Sequence, residues 1–222
     1  TANITGSVKY MDRSVTRYFT VSPIDDYLFN LHNVNVTIVR DNITFVLDLP
    51  KDATGNVTVF IFNKNHTAEV KDGSATVKVP TTAQGNYQFT ISFKEEGKYV
   101  YKSQSGYAFV VKTDPAVNLI YNASVNVDEN VTITFNLSKD ATGNVSVTSR
   151  GVTYTAKLVN GSANVTVRGY PLASTYSPSI SYTGDDRYNP YTDTIVITAN
   201  KVTDYNITVN VSNITVDDME LV

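Results

Sequence analysis

The chain of 222 residues contains no cysteine and no tryptophan, and it has only two methionines and two histidines. Without cysteine there can be no disulfide bond, thiolate metal site or cysteine nucleophile. No apolar run approaches the roughly 18 residues of a membrane-spanning helix, so direct membrane insertion is not expected. The net charge is −3 without a basic block, so the charge pattern supports neither nucleic-acid nor acidic-lipid binding.

One heptapeptide occurs twice in the chain. Residues 51–57, Lys-Asp-Ala-Thr-Gly-Asn-Val, return unchanged as residues 139–145, 88 positions later. The match continues on both sides, pairing 41–45 with 129–133, 72–75 with 160–163 and, after a shift of one residue, 93–99 with 182–188. A repeat of this length is a whole domain copied in tandem rather than a solenoid turn. We therefore expect two domains of about 88 residues plus flanking segments.

Each copy has the pattern of a series of short β-strands. Fifteen tyrosines and abundant valine and threonine favour strands. Apolar and polar residues alternate along 43–49 in copy 1 and along 131–137 in copy 2. The Asp-Gly pair at 72–73 and the Asn-Gly pair at 160–161 are signals for type I′ hairpins, whose residues must tolerate positive φ. About seven short strands with regularly spaced turn signals indicate an immunoglobulin-like sandwich.

The predicted fold class is therefore all-β, with tandem immunoglobulin-like β-sandwiches of about seven strands each and partial sandwich segments at both ends. Tyr87 and Tyr176 stand at the entry to the sixth strand, where a tyrosine corner belongs; the alternative is that they are ordinary core tyrosines. The expected segments are the last strands of a preceding or partner-completed module (1–29), module 1 (30–113), module 2 (114–201) and the first strands of a following or donated module (202–222).

Three features resemble the immunoglobulin-like repeats of adhesin-like surface proteins from methanogenic archaea. They are the doubled heptapeptide, the Asn-Gly hairpin at 160–161 and the run Tyr-Thr-Gly-Asp-Asp-Arg-Tyr at 182–188. The resemblance covers residues 30–200, but copy 1 departs from it at 94–99, where Lys-Glu-Glu-Gly-Lys-Tyr replaces the Gly-Asp-Asp turn. It implies an extracellular, multidomain cell-surface protein. It implies no enzymatic chemistry and no cofactor, and it identifies no ligand.

The two flanks align with parts of the repeat. Residues 4–10 match 182–188 in spacing, 18–21 match the last strand around Ile195, and 206–222 match 118–134. An isolated fragment of a sandwich exposes unpaired strand edges and half of a core. We therefore expect the C-terminal strands of one subunit to complete the N-terminal half-module of the next, a head-to-tail joint that propagates a filament. The alternatives are covalent continuation in a longer array and tails that are ordered locally.

The side chains expected at this joint are the apolar and aromatic residues of the two flanks, because these would form the missing half of a core. They are Ile4, Val8, Tyr18, Phe19, Val21, Ile207, Val209, Val211, Ile214, Val216, Met219 and Leu221. The expected partner is thus a second copy of the same chain.

The chain is rich in Asn-x-Ser/Thr triplets, the acceptor pattern for N-linked glycans. Alternation on strands places Asn and Thr on one solvent face and creates some triplets by pattern alone. Asparagine is nevertheless depleted in strands relative to threonine, so we expect several sites to be glycosylated. Asn42, Asn130, Asn136 and Asn164 are expected to face outward and are the strongest candidates. The full set is Asn3, Asn35, Asn42, Asn56, Asn65, Asn122, Asn130, Asn136, Asn144, Asn160, Asn164, Asn206, Asn210 and Asn213.

The sequence offers few groupings of residues that could form a catalytic or metal site. His32 and His66 correspond to Ile120 and Tyr154 in copy 2, so no histidine site is repeated. The adjacent carboxylates at 185–186 would suit a calcium loop, although such a pair is more often a solvated turn. No phosphate loop, metal-binding helix motif or Ser-His-Asp grouping is visible. We predict no catalytic residue, no metal site and no cofactor.

Tyrosines cluster around the connection before the last strand of each copy. Loops that bind partners favour tyrosine, and packing within or between modules is the alternative. The leading prediction is a structural subunit of an extracellular, N-glycosylated cell-surface filament or fibre, pilus-like or adhesin-like. The alternatives are a stalk or ligand-binding segment of a long monomeric adhesin-like protein, recognising a host or neighbouring-cell ligand, and an S-layer or cell-wall component.

Overall fold

The computed structural model describes residues 2–4, 9, 13–95, 97–204 and 206. Over these residues all regular secondary structure is β-strand. The chain forms two compact units, Thr1–Thr113 and Asp114–Val222, and each has its own hydrophobic core. The all-β sandwich fold predicted from the alternation is confirmed.

Unit 1 consists of a short hairpin followed by a sandwich. The hairpin pairs β1 (Ala2–Ile4) with β2 (Arg13–Val15). The sandwich strands are β3 (Asn30–Leu31), β4 (Thr37–Ile38), β5 (Asn42–Asp48), β6 (Asn56–Ile61), β7 (Lys64–Glu69), β8 (Ser74–Pro80), β9 (Gly85–Lys94) and β10 (Lys102–Val111). One sheet has the order β3-β5-β8, and the other has the order β4-β10-β9-β6-β7.

The core of unit 1 is filled by side chains that alternate along its strands. In β5 the side chains of Ile43, Phe45 and Leu47 are fully buried, whereas that of Asn42 is exposed. Burying one such apolar side chain stabilises the fold by about 1.5–3 kcal/mol. Phe45 meets Phe89 of the facing sheet edge-on, with ring centroids 4.8 Å apart. Packed rings of this kind hold the two sheets together.

Unit 2 repeats this plan with more strand breaks. Its strands are β11 (Asn118–Ile120), β12 (Ser124–Asn126), β13 (Val131–Asn136), β14 (Asn144–Ser149), β15 (Val152–Lys157), β16 (Ser162–Val167), β17 (Ser174–Tyr176), β18 (Ser179–Tyr182), β19 (Tyr191–Thr194) and β20 (Ile197–Asn200). The sheet orders are β11-β13-β16, β15-β14-β18-β19 and β12-β20-β17. The last two correspond to the five-stranded sheet of unit 1.

A proline accounts for the breaks in unit 2. Pro178 separates β17 from β18 at the position that Phe89 holds in the continuous β9. Proline donates no main-chain hydrogen bond, so the ladder is interrupted there. The neighbouring strand of the same ladder is also interrupted at this level, between β19 and β20. There the N–H of Ile195 donates to the Pro178 carbonyl at 3.0 Å. The first strand of each unit, and the sixth and seventh strands of unit 2, occur as two segments. When the two segments of each are counted as one strand, each unit has the predicted seven strands.

The first and last strands of each sandwich are parallel neighbours. Strand β4 pairs with β10 and β12 pairs with β20, whereas the strands within each hairpin are antiparallel. The first strand is divided between the two sheets, with β3 on one and β4 on the other. This is the strand order of an immunoglobulin-like sandwich.

The hairpin turns have the conformation that their sequences predict. Asp72 and Gly73 have φ values of 50° and 78°, and Asn160 and Gly161 have 51° and 74°. Positive φ at both central residues is the requirement of a type I′ turn. A further turn places Phe62 at φ 53°, which is unusual for a bulky residue and which the sequence does not signal.

Unit 1 begins earlier than residue 30. The N–H of Ile24 donates to the Lys98 carbonyl at 2.7 Å, and the N–H of Val100 donates back to Ile24 at 3.0 Å. The ring of Tyr27 lies 4.9 Å from that of Tyr99, and Tyr27 is part of the core of unit 1. Residues 24–29, assigned from the sequence to a preceding module, therefore pack with unit 1.

Candidate interaction surfaces

A carboxylate holds two loops of unit 2 together. Asp185, in the turn between β18 and β19, accepts hydrogen bonds from the main-chain N–H of Thr142 at 2.8 Å and from the Thr142 hydroxyl at 2.9 Å. It also accepts from the N–H groups of Arg187 and Tyr188, each at 2.8 Å. The hydroxyl of Tyr188 in turn donates to Asp140 at 2.7 Å. We call these five residues the loop clamp.

The loop clamp keeps Asp185 ionised. Burial raises the pKa of this carboxyl, but the hydrogen bonds from Tyr188, Thr142 and Arg187 outweigh it and hold the pKa at about 2. Four donors already occupy the carboxylate oxygens, so this group is a structural acceptor. Within the described ranges, no group of three or more His, Cys, Asp or Glu side chains is placed to bind a metal ion.

Unit 1 builds the corresponding clamp with different partners. The hydroxyl of Tyr99 donates to Asp52 at 2.7 Å, and Lys98 pairs with the same carboxylate. The hydroxyl of Thr54 donates to Glu95 at 2.7 Å. The repeated heptapeptide therefore supplies the same Asp and Thr to its neighbouring turn in both units.

The glycine of the heptapeptide is needed for the same contact. Gly55 and Gly143 have φ values of +94° and +95°. A Cβ on Gly55 would lie 2.9 Å from the Lys94 carbonyl, and one on Gly143 would lie 2.9 Å from the Thr183 hydroxyl. Loop packing thus accounts for the Asp, Thr and Gly of the repeated heptapeptide.

The two corner tyrosines bond back to the chain that precedes them. The hydroxyl of Tyr87 donates to the Ala83 carbonyl at 3.0 Å, and that of Tyr176 donates to the Leu172 carbonyl at 2.9 Å. A hydrogen bond to the backbone a few residues upstream defines a tyrosine corner. Phe62 packs edge-on against Tyr87, with centroids 4.6 Å apart, which links the unusual turn to the corner.

Of the six tyrosines that cluster before the last strands, Tyr191 is half-buried against the core of unit 2 and the other five fall into two groups. Tyr99, Tyr182 and Tyr188 are at most 7% exposed and belong to the two cores. Tyr101 and Tyr107 are each 57% exposed on unit 1. The first group packs within its module, and only the second is available to a partner.

The histidines are dispersed rather than gathered into a site. His32 lies beside β3 with its Nε2 atom 2.7 Å from Asp48 of β5, and this hydrogen bond lowers the pKa of Asp48. Asp48 also accepts from the Ser74 hydroxyl at 3.2 Å. The exposed cluster links three neighbouring strands at the edge of one sheet, which is a structural arrangement.

The N-terminal hairpin repeats the pairing of the last two strands of a module. In β1 and β2, Ile4 pairs with Arg13 and Asn3 pairs with Ser14. In β18 and β19, the residues 178 positions later form the same pairs, Tyr182 with Tyr191 and Ser181 with Thr192. The hairpin therefore has the register that strands six and seven have in a complete sandwich.

The segment after β2 is apolar and uncovered. Tyr18, Phe19 and Val21 are 94%, 87% and 80% exposed. If the same register continues, Phe19 and Val21 occupy the positions of Ile197 and Ala199, which are 0% and 3% exposed in unit 2. Among the other joint residues, Ile4 is described by its backbone alone. Val8, Ile207, Val209, Val211, Ile214, Val216, Met219 and Leu221 lie outside the described residues.

The acceptor asparagines of the described triplets are mostly exposed. Asn136 is the half-buried exception, and its Oδ1 accepts from the Ser162 hydroxyl at 2.9 Å. Asn130 accepts from the N–H of Gly169 at 3.0 Å, so its side chain is partly engaged. The exposed acceptors are Asn35, Asn42, Asn56, Asn65, Asn122, Asn130, Asn144, Asn160, Asn164 and Asn206. Asn3 lies in β1, and Asn210 and Asn213 lie outside the described residues.

No protein-family model and no curated protein matches the chain. Solved structures match it at low identity. The fibronectin(III)-like modules of Clostridium thermocellum CbhA match at 14% identity and TM-score 0.34, over 82% of this chain and 100% of that one. Titin domains Z1Z2, solved in complex with telethonin, match at 14% and 0.43, over 81% and 100%.

Bacteroides uniformis β-glucuronidase 3 matches at 11% identity and TM-score 0.30, over 76% of this chain and 24% of the enzyme. Identities and TM-scores this low carry no functional information. Among the residues that the structure describes, no helix has the length and hydropathy to span a membrane.

Proposed function

We propose that the chain is a structural subunit of an extracellular, N-glycosylated cell-surface filament or fibre built from immunoglobulin-like modules. Subunits join head to tail when the C-terminal segment of one copy completes the N-terminal hairpin of the next. The resemblance to adhesin-like surface repeats supports the extracellular setting.

The observation that carries the proposal is the N-terminal hairpin. It has the register of strands six and seven, and its continuation leaves Phe19 and Val21 in water. A two-stranded hairpin is marginally stable alone, and exposed apolar side chains favour the addition of further strands.

The two sandwich units support the choice of the strand that would complete the hairpin. In each of them the last strand has a parallel neighbour from the first strand, as in the pairs of Ile38 with Val111 and of Val125 with Ala199. Residues 206–222 match the first strands of a module in sequence. A C-terminal segment donated by a second copy would supply this neighbour and would leave its own hairpin free for a third copy. Such a heterologous contact propagates rather than closes.

The parallel pairing also suits a fibre under tension. The paired strands are the first and last of each module along the chain, so pulling on the chain at both sides of a module would load their hydrogen bonds together in shear. Hydrogen bonds loaded together resist more force than bonds opened one after another. The hydrogen bonds of the loop clamp would restrict the motion of the two loops that they join, which also suits a rigid fibre.

The test is the assembly state of the full chain. Wild-type protein at about 50 µM should form filaments in electron micrographs, because a joint of standard size has sub-micromolar to micromolar affinity. The double variant Phe19→Asp with Val21→Asp should form no filaments at this concentration while both units remain folded. Tyr18→Asp is the matched control. The sequence placed Tyr18 among the joint residues, but the register of the hairpin matches it to the outward-facing Val196 of unit 2, so this variant should still assemble.

Other outcomes separate the alternatives. A wild-type chain that remains monomeric at this concentration contradicts intermolecular completion and favours a stalk within a longer polypeptide. Filaments that persist in the Phe19→Asp, Val21→Asp variant would place the joint elsewhere.

Glycosylation is tested separately on protein from its native source. Glycans on exposed acceptors such as Asn42 and Asn164 should add hexose mass to the intact protein. A measured mass equal to that of the unmodified polypeptide contradicts this part of the proposal.

A further inference from the structure

Unit 1 carries an apolar stripe that its fold does not require. The stripe consists of Val36, Ile38, Tyr107, Phe109 and Val111. Val36 directly precedes β4, and the other four lie on the outer face of the neighbouring strands β4 and β10. Four of these side chains are 41–62% exposed, and Ile38 is half-buried. The side chains between them on β10 point into the core.

Unit 2 has polar residues at the same backbone positions. Ser124 and Asn126 of β12 replace Val36 and Ile38, and Thr198 and Asn200 of β20 replace Phe109 and Val111. Only Val196, in the place of Tyr107, stays apolar. Both units fold into the same sandwich, so folding does not require apolar side chains at these positions.

The stripe has the properties of a small interaction surface. None of its five residues is charged. The exposed fractions correspond to about 400 Å² of apolar surface, the size of the largest apolar patch on a typical soluble monomer, and such patches are often functional.

We propose that the stripe is a self-association surface that packs against the same stripe of a second copy of this chain. An uncharged apolar surface suits its own copy, because the two-fold contact brings no like charges together. Two copies would bury about 800 Å² in total, which is less than the roughly 1,200 Å² of a stable dimer. Each contact is therefore weak alone, and it is strengthened where many copies are held side by side. The surface joins subunits laterally and uses none of the residues of the head-to-tail joint.

The experiment measures lateral association with head-to-tail assembly switched off. In the Phe19→Asp, Val21→Asp background, sedimentation velocity is recorded from about 10 µM to about 1 mM, the range in which a contact of this size should saturate. We expect the sedimentation coefficient to rise with concentration towards that of a dimer. Adding Phe109→Thr and Val111→Asn, which installs the residues of unit 2, should weaken the association at least tenfold.

A matched control separates the stripe from general surface hydrophobicity. Phe60 is 48% exposed on β6, outside the stripe, and unit 2 has Thr148 at its position. Phe60→Thr should leave the association unchanged. Circular dichroism confirms that all variants are folded. The converse change, Thr198→Phe with Asn200→Val, should strengthen the association by adding a second stripe in unit 2.

Three results would overturn the proposal. The first is a background protein that stays monomeric up to about 1 mM. The second is association that the Phe109→Thr, Val111→Asn variant retains, and the third is association that Phe60→Thr removes. None of these results bears on the filament joint, whose own test uses Phe19 and Val21.

Discussion

The ring of Phe89 fills the space that Gly106 leaves open on the paired strand. The two residues are direct partners in the ladder of β9 and β10, and a Cβ on Gly106 would lie 2.8 Å from Cζ of Phe89. In unit 2 the sizes are reversed. The smaller Pro178 stands in place of Phe89, and the buried, larger Ile195 stands in place of Gly106. A large side chain on one strand faces a small one on the other in both units.

This exchange predicts strong coupling between the two positions. Gly106→Ile should destabilise unit 1 by about 1–3 kcal/mol, because the new side chain overpacks against the ring. Phe89→Ala alone should cost about 3–5 kcal/mol by leaving a cavity. The double variant should be more stable than the sum of the two by at least about 1 kcal/mol, because isoleucine then fills that cavity. Urea unfolding of the four proteins measures the coupling. Additive effects would show that the two side chains do not share this space.

Local patterns in the sequence predicted the strands and turns but not the contacts between them. Alternation in residues 43–49 placed one face of β5 in the core, and the Asp-Gly and Asn-Gly pairs located two turns. Pro178 indicates a strand break from the sequence alone, but the apolar–polar alternation around it favoured one continuous strand. These signals are local because they depend on backbone preferences of neighbouring residues.

Other features depend on residues far apart in the chain. The hydrogen bonds of the loop clamp that connect its two loops join residues 43–48 positions apart, so spacing along the sequence could not reveal these contacts. The start of unit 1 was placed too late because Tyr27 packs on a ring 72 positions away rather than on a neighbouring strand. The apolar stripe became visible only when the parallel pairing of β4 with β10 set two distant segments side by side.

The loop clamp predicts acid sensitivity of unit 2. The folded-state pKa of Asp185, about 2, lies below the ordinary value of 3.8. The stabilisation is therefore fully present above about pH 4 and is lost as the pH falls towards 2. Its size is about 1–2 kcal/mol once partial exposure is allowed for. Asp185→Asn should lower stability at pH 7 and flatten the stability profile between pH 4 and pH 2, as followed by thermal unfolding.

Asp186→Asn is the control for this prediction. The carboxylate of Asp186 is the neighbour of Asp185 in the chain and accepts none of the four hydrogen bonds that Asp185 accepts. It should retain the acid transition of the wild type. If Asp185→Asn and wild type lose stability in parallel over this pH range, Asp185 is not the titrating group.

The tyrosine corner predicts a hydroxyl-specific loss. Tyr87→Phe keeps the ring and its edge-on contact with Phe62 but removes the hydrogen bond to Ala83. The expected cost is about 1 kcal/mol in the free energy of unfolding of unit 1. Tyr107→Phe, which removes an exposed hydroxyl, should cost nothing measurable in the same denaturant titration. Equal losses in the two variants would mean that the corner contributes no more than an exposed hydroxyl.

Alanine substitutions at two glycines of unit 2 distinguish the cost of backbone strain from the cost of steric contact. Gly143 and Gly151 both have positive φ, +95° and +77°, so alanine at either position costs about 1–2 kcal/mol in strain. A Cβ added to Gly151 would meet no atom of the described residues within 4 Å, whereas one added to Gly143 would lie 3.0 Å from the Gly184 carbonyl. Gly143→Ala should therefore be clearly the more destabilising of the two in thermal unfolding, because it also pushes apart the loops that the clamp joins. If both variants lose the same stability, the heptapeptide glycine is retained for its conformation alone, and the close approach of the two loops contributes nothing.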